Sequence, residues 1–355
     1  MADQGLSRRE LLGVGAAAVG AGLAAGRALA VNEPPGAPPK EKVLSYNERM
    51  EYRRLGKTGL WVSAISLGGH WKRCPFQGEE FDKNRADIIG RCLDAGINYV
   101  DACCGGEIMA YSKALKTIGK RDKIYMGFDA ASARAPEFCD KKAQLRALDD
   151  LMKRADLDYV DIWRITCHEP GGIHTYNAVC ELAAAGEQAI RDGKVRCFGV
   201  STHDRRWVEF LVRDFPIVSV IVTPYTAKSK EKPQGSFFET VRKCDVGVFG
   251  IKPFASNSIF KGDSQPGNPH EKEDNEVARL ALRYILCNDA IASPIPGLIF
   301  PHHVDNCAKA IEERRQLDLA ARPAVLDDPR LARATDAMWG RLPANYQWLK
   351  EWECV

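Results

Sequence analysis

Sulfur and imidazole side chains follow apolar runs at four places in this chain: His70 with Cys74, the adjacent Cys103-Cys104, Cys167 with His168, and His203. Thiolate and imidazole donors suit zinc, copper or iron, so Cys103, Cys104, Cys167 and His168 make a candidate transition-metal set. The same thiols offer redox chemistry, and Cys103-Cys104 could close a strained vicinal disulfide. No Cys-x-x-Cys occurs and no haem-attachment spacing, so cysteines that merely pack are the plain alternative. Cys92, Cys180, Cys287 and Cys307 fall in helical apolar patterns and Cys197 in a strand, where each reads as a small buried hydrophobe. Twelve cysteines in 355 residues are not a disulfide framework, which belongs to small domains with poor cores. His302-His303 reads as a solvated loop pair.

Positioning such groups needs a scaffold, and the apolar pattern supplies one. Short apolar runs predict strands over 63–67, 98–101, 124–127, 159–165, 195–200, 218–222, 246–251 and 290–294. Helical periodicity over 85–95 and 178–192 stops at Gly96 and Gly193, and amphipathic helices over 275–286 and 304–315 flank the last strand. Eight strands separated by helices fit an α/β fold, a parallel (β/α)8 TIM barrel. An open doubly wound sheet is the alternative on pattern alone, but no Gly-x-Gly-x-x-Gly follows the first strand. Barrel active sites sit at the C-terminal strand ends, so the sulfur and imidazole groups gather on the rim where chemistry happens.

The segments also carry a family resemblance. Tyr52-Arg53-Arg54-Leu55-Gly56-Lys57-Thr58-Gly59-Leu60-Trp61-Val62-Ser63 resembles the opening of aldo-keto reductases, whose hairpin plugs the barrel floor. Asp94-Ala95-Gly96-Ile97-Asn98-Tyr99-Val100-Asp101-Ala102 is similar to the second strand with its catalytic aspartate. Asp158 to Trp163, Gly193 to Ser201 and Pro294 to Gly297 resemble the fourth, fifth and eighth strands. The resemblance implies carbonyl reduction by hydride from NADP(H), with a tyrosine delivering the proton to the alkoxide, tuned by lysine, histidine and aspartate. By that resemblance Asp101 is the aspartate and His168 a substitute for the histidine, whose own place holds Thr166. The tyrosine is missing from Ala102 to Glu107, Tyr111 lies inside the next helix, and Gly127-Phe128-Asp129 stands where the lysine should be. Ser201, Tyr225, Lys252 and Gly297 fall at cofactor-binding positions. Phe300 stands near the place of the basic residue that holds the adenosine 2′-phosphate.

The ends of the chain carry a different message. Ser7-Arg8-Arg9-Glu10-Leu11-Leu12 opens an Ala/Gly-rich apolar run closing on Ala28-Leu29-Ala30, which resembles a bacterial twin-arginine signal peptide (residues 1–30). That route exports folded proteins, so the export machinery is an expected partner and the periplasm or another exported site the expected location. The run is too short for a confident membrane span. A Pro-rich linker (31–50) precedes the barrel (51–320), and an aromatic tail (321–355) with Trp339, Tyr346, Trp348 and Trp352 packs on it. A net charge of +3 with 27% charged residues and no basic stripe excludes a nucleic-acid binder. Three functions follow: a divergent reductase acting on a small-molecule substrate, a barrel rebuilt around a Cys/His metal or thiol site, or a non-catalytic subunit that binds a protein partner.

Overall fold

The computed structural model describes residues 38–69, 74–130, 136–166, 175–203, 205–263, 265–319 and 322–334. After a 3-10 turn (Lys40–Lys42) comes an antiparallel hairpin of β1 (Tyr52–Arg54) and β2 (Trp61–Ser63). Seven parallel strands follow, each bonded to the next: β3 (Tyr99–Ala102), β4 (Tyr125–Phe128), β5 (Val160–Thr166), β6 (Val195–Ser201), β7 (Val218–Pro224), β8 (Gly247–Ile251) and β9 (Ile291–Ile295).

The strand expected over 63–67 is split. Ser63 ends the hairpin, and residues 66–68 reach both edges of the sheet. The Leu67 N–H donates to Tyr99 O and its carbonyl accepts from the Asp101 N–H, both at 2.9 Å. On the other side the Ser66 and Gly68 N–H groups donate to the Pro294 and Pro296 carbonyls. This segment is the eighth stave, and it completes a (β/α)8 TIM barrel. Each side is a single bridge, Leu67 to Val100 and Gly68 to Gly297.

Helices α1 (Gly78–Asp94), α2 (Gly105–Ile118), α3 (Lys141–Ala155), α4 (Tyr176–Arg191), α5 (Arg205–Asp214), α6 (Phe237–Lys243), α7 (Glu271–Leu286) and α8 (Pro301–Leu317) cover the sheet. Local chemistry sets their ends. Asp140 and Thr175 cap α3 and α4 by accepting the Ala143 and Ala178 N–H groups. Left-handed Gly119 closes α2. Helix α1 starts earlier than residue 85 because Glu79 and Glu80 favour its N-terminus without adding to the apolar period.

Two cores result. One lies between the sheet and the helices, and the other fills the barrel with Leu55, Val62, Tyr99, Ile162, Val220 and Phe249 among its members. Leu55 and Val62 bring the hairpin into that interior, so it plugs the floor. Arg53 ties the hairpin in place by donating to the Leu286, Asn288 and Ile291 carbonyls at 2.8, 3.2 and 2.7 Å. After α8, two 3-10 turns bury Val325, Leu331 and Ala334, and Arg330 reaches Glu276 of α7 at 3.7 Å. Trp339 and the other tail aromatics lie outside the described residues, as do residues 1–30.

Cys92 and Cys307 are buried, and Cys197 faces the barrel interior. Cys180 corrects the expectation for it: it is exposed, because Val179, Leu182, Ala183 and Gly186 form the inward stripe of α4 and turn it outward. His302 and His303 are likewise not in a loop. They lie in the first turn of α8, where His303 Nδ1 accepts the Ile299 N–H at 3.2 Å. No described helix is long and apolar enough to cross a membrane.

Candidate active site

Asp101 stands near the end of β3, and its carboxylate is buried inside the barrel. Its partner is Arg164 of β5, two strands away. Arg164 Nε donates to Oδ1 at 2.9 Å and Nη2 to Oδ2 at 2.6 Å, a two-point pair with 3% and 5% of the side chains exposed. The Tyr99 hydroxyl adds a third bond to Oδ1 at 3.0 Å. Burial works against the charged form of Arg164, but the Asp101 carboxylate outweighs it and the guanidinium holds its proton more firmly than usual. A planar fork suits a carboxylate in this way, and a lysine would make only a point contact.

Gly127 lets the pair form. It lies on β4 between the two strands, in register with Asp101 on one side and Ile162 on the other. A Cβ there would come within 2.0 Å of the Tyr99 hydroxyl. The bare α-carbon therefore leaves the space in which Tyr99 meets Asp101. Tyr99 also stacks on Phe249 with ring centres 4.2 Å apart. Burial and the Asp101 charge push its ionisation far up, so it orients Asp101 and does not release a proton.

A second pair lies beside the first. Thr166, ending β5, donates to Asp129 Oδ2 at 2.5 Å, and both residues are buried. Thr166 is in register with Ser201, the last residue of β6, which is also buried. Asp129 thus brings a carboxylate to the place where the family resemblance expects a lysine.

Cys103 and Cys104 follow β3 directly, and the structure joins them to Glu107 of α2. The two thiols and a Glu107 oxygen all lie within 4.8 Å of one another. Glu107 Oε2 accepts the Cys103 N–H at 2.8 Å, while Oε1 faces Cys103 Sγ at 3.7 Å. Cys167 and His168 of the expected metal set, and His70, lie outside the described residues. Cys74 and His203 are half-buried. Tyr111 lies in α2 as expected and donates its hydroxyl to Gly68 O at 2.5 Å.

Of the expected cofactor positions, Ser201 and Gly297 lie at the rim, Gly297 bridged to Gly68. Lys252 follows β8 with a left-handed φ of 57°, and Ala255, Ser256 and Asn257 repeat that conformation. The loop is wound by Ala255 N–H to Lys252 O and Asn257 N–H to Phe254 O. Asp274 of α7 anchors its end by accepting the Lys261 and Gly262 N–H groups at 2.8 and 2.7 Å. Tyr225, the remaining expected cofactor position, is buried in the core between sheet and helices. Its ring packs edge-on against Phe238, and its hydroxyl meets Asn288 on the loop that feeds β9, so it runs down the outer wall toward the floor.

Arg164, Asp129 and Glu107 escape a reading of the sequence. Arg164 leaves one signal, a charge inside the apolar run Ile162-Trp163-Arg164-Ile165, which a buried strand tolerates only when paired.

A parallel (β/α)8 barrel with a buried ion pair near its C-terminal rim has the architecture of the barrel enzymes. The aldo/keto reductase family model matches residues 64–319, and the chain belongs to that family of oxidoreductases. It is similar to L-galactose dehydrogenase of Arabidopsis thaliana, at 23% identity over 76% of this chain and 91% of that protein. It is also similar to 6-dehydroglucose reductase of Novosphingobium aromaticivorans, at 29% identity over 64% of this chain and 74% of the other. Among solved structures, an aldo-keto reductase of Klebsiella pneumoniae in complex with NADPH superposes with a TM-score of 0.59, at 22% identity over 78% of this chain and 96% of that one.

Proposed function

We propose that this oxidoreductase reduces a small polyhydroxylated carbonyl compound with a nicotinamide dinucleotide, outside the cytoplasmic membrane. The observation that carries the reading is the Asp101–Arg164 pair, a fixed charge set into the polar end of the barrel. Ser201, Lys252, the wound loop after Lys252 and Gly297 fit such a cofactor, which supplies hydride when bound. Phe300, buried where the family places a basic residue, gives no charge for a 2′-phosphate, so NADH suits the site as well as NADPH.

Hydride addition builds an alkoxide, and a preorganised cation stabilises it without solvent reorganisation. Asp101 holds Arg164 in that role. Arg164 keeps its own proton, and Tyr99 is bonded to Asp101, so neither is the acid. His168, beyond β5, is the candidate proton donor. Asp129 and Thr166 suit hydroxyl groups of a sugar-like substrate, the class named for both similar enzymes. The twin-arginine-like segment supports export of a folded, cofactor-loaded protein to the periplasm.

Fluorescence titration of the folded mature chain with NADH and NADPH tests the reading. Saturable binding in the micromolar range is expected, with turnover of an aldose or ketose lost in Arg164→Met while nucleotide binding persists. No binding of either nucleotide at millimolar levels overturns it and favours a barrel that serves as a binding or assembly subunit.

A further inference from the structure

We infer that Cys103, Cys104 and Glu107 form a binding site for one thiophilic divalent cation, zinc by donor chemistry, on the rim beside Asp101.

The argument begins with the spacing. Donors sharing one tetrahedral ion at ~2.0–2.3 Å lie roughly 3.5–4 Å apart. Cys103 Sγ and Glu107 Oε1 are already 3.7 Å apart, and all three ligand atoms lie within 4.8 Å of one another. Side-chain rotation of under about 1 Å brings the set to a single centre.

The carboxylate is built in rather than swinging free. Its Oε2 is anchored on the Cys103 N–H, and the group lies over Gly69, where a Cβ would come within 1.9 Å of that oxygen. No other residue fits at Gly69 while Glu107 holds this position. The anchored oxygen leaves Oε1 turned toward the Cys103 thiol, the orientation that an outer bond imposes on a metal ligand.

Charge and exposure agree with a cation. Cys104 is the N-cap residue of α2, a helix of 14 residues. Thiols bind such an ion as thiolates, so binding releases their protons to solvent and needs no oxidant. Cys103 and Glu107 are shielded while Cys104 is exposed, so the fourth coordination position opens outward. Two soft donors and one carboxylate select zinc over magnesium or calcium. This site stands independently of nicotinamide binding.

The full chain, stripped with chelator and kept reduced, is titrated with Co2+ as the probe. One equivalent is expected to bind with thiolate-to-cobalt charge-transfer absorption, to be displaced by zinc, and to release protons as binding proceeds. The absorption should vanish in Cys103→Ser/Cys104→Ser and persist in Cys74→Ser. Glu107→Gln keeps an acceptor for the Cys103 N–H, so it should fold, retain the absorption and bind at least about tenfold more weakly. No charge-transfer band at one equivalent, a band surviving in the double serine variant, or unchanged affinity in Glu107→Gln overturns the inference.

Discussion

Arg164 grips Asp101 from two strands away, through Nε at 2.9 Å and Nη2 at 2.6 Å, and the pair is almost wholly buried. An ion pair taken out of water is costly to make and costlier to break. Arg164→Met leaves Asp101 charged with only the Tyr99 hydroxyl for a partner, and a loss of about 3–5 kcal/mol is expected. Asp101→Asn/Arg164→Met should recover much of that loss, because no lone charge remains. Urea unfolding of the parent and the two variants decides it, and an Arg164→Met protein as stable as the parent contradicts the argument.

Gly127→Ala places a methyl group where the Tyr99 hydroxyl lies, at 2.0 Å. Overpacking of this kind costs about 1–3 kcal/mol. Adding Tyr99→Phe removes the clashing oxygen and should restore part of the stability, but not the bond to Asp101. A double-mutant cycle in thermal unfolding should therefore show coupling, and strictly additive losses would mean that the two residues do not meet.

Glu51 lies between Arg53 and Arg314, at 2.8 and 3.0 Å. Burial raises its ionisation, but the two guanidinium groups outweigh this and hold it below the usual carboxylate range. A lowered folded value adds stability above the unfolded value of about 4.3, and that stability fades as pH falls through the folded value. The stability gap between the parent and Glu51→Gln should thus be constant above about pH 5 and close in more acid solution. Unfolding curves across that range measure it. A gap that widens on acidification would reverse the sign and refute the assignment.

Thiol reactivity should follow burial. Burial pushes Cys197 up to about 11 and Cys307 up to about 12, so neither forms thiolate near neutrality. Cys180 and Cys104 are exposed. Titration of the native protein with an aromatic disulfide should lose one fast equivalent in Cys180→Ser and none in Cys307→Ser. Equal losses in both would show that the described burial is wrong.

Leu55→Ala tests the floor against the rim. Removing this fully buried side chain should cost about 2–5 kcal/mol. Nucleotide affinity should stay unchanged, because the hairpin closes the opposite end of the barrel. Calorimetry and the fluorescence titration, run on one variant, separate the two effects.

The apolar periods and turn residues by themselves determined the eight-stave order, while the floor hairpin and the position of Asp101 were legible through the family motifs. Those features are local: a strand or helix is written in the few residues that form it, and the family motifs run along single segments. The first stave was the exception, because residues 66–68 become barrel backbone only by bonding to β3 and β9 at once. The site depended on tertiary structure. Asp101 and Arg164 are 63 positions apart, and only barrel closure with a bare Gly127 between them makes them partners. The same holds for Asp129 with Thr166, and for the way Tyr225 turns toward the floor instead of the rim. A residue's type states what it can bond. Which buried charge it must satisfy is decided by the strand that folds against it, because a charge out of water takes whatever partner the packing brings within reach.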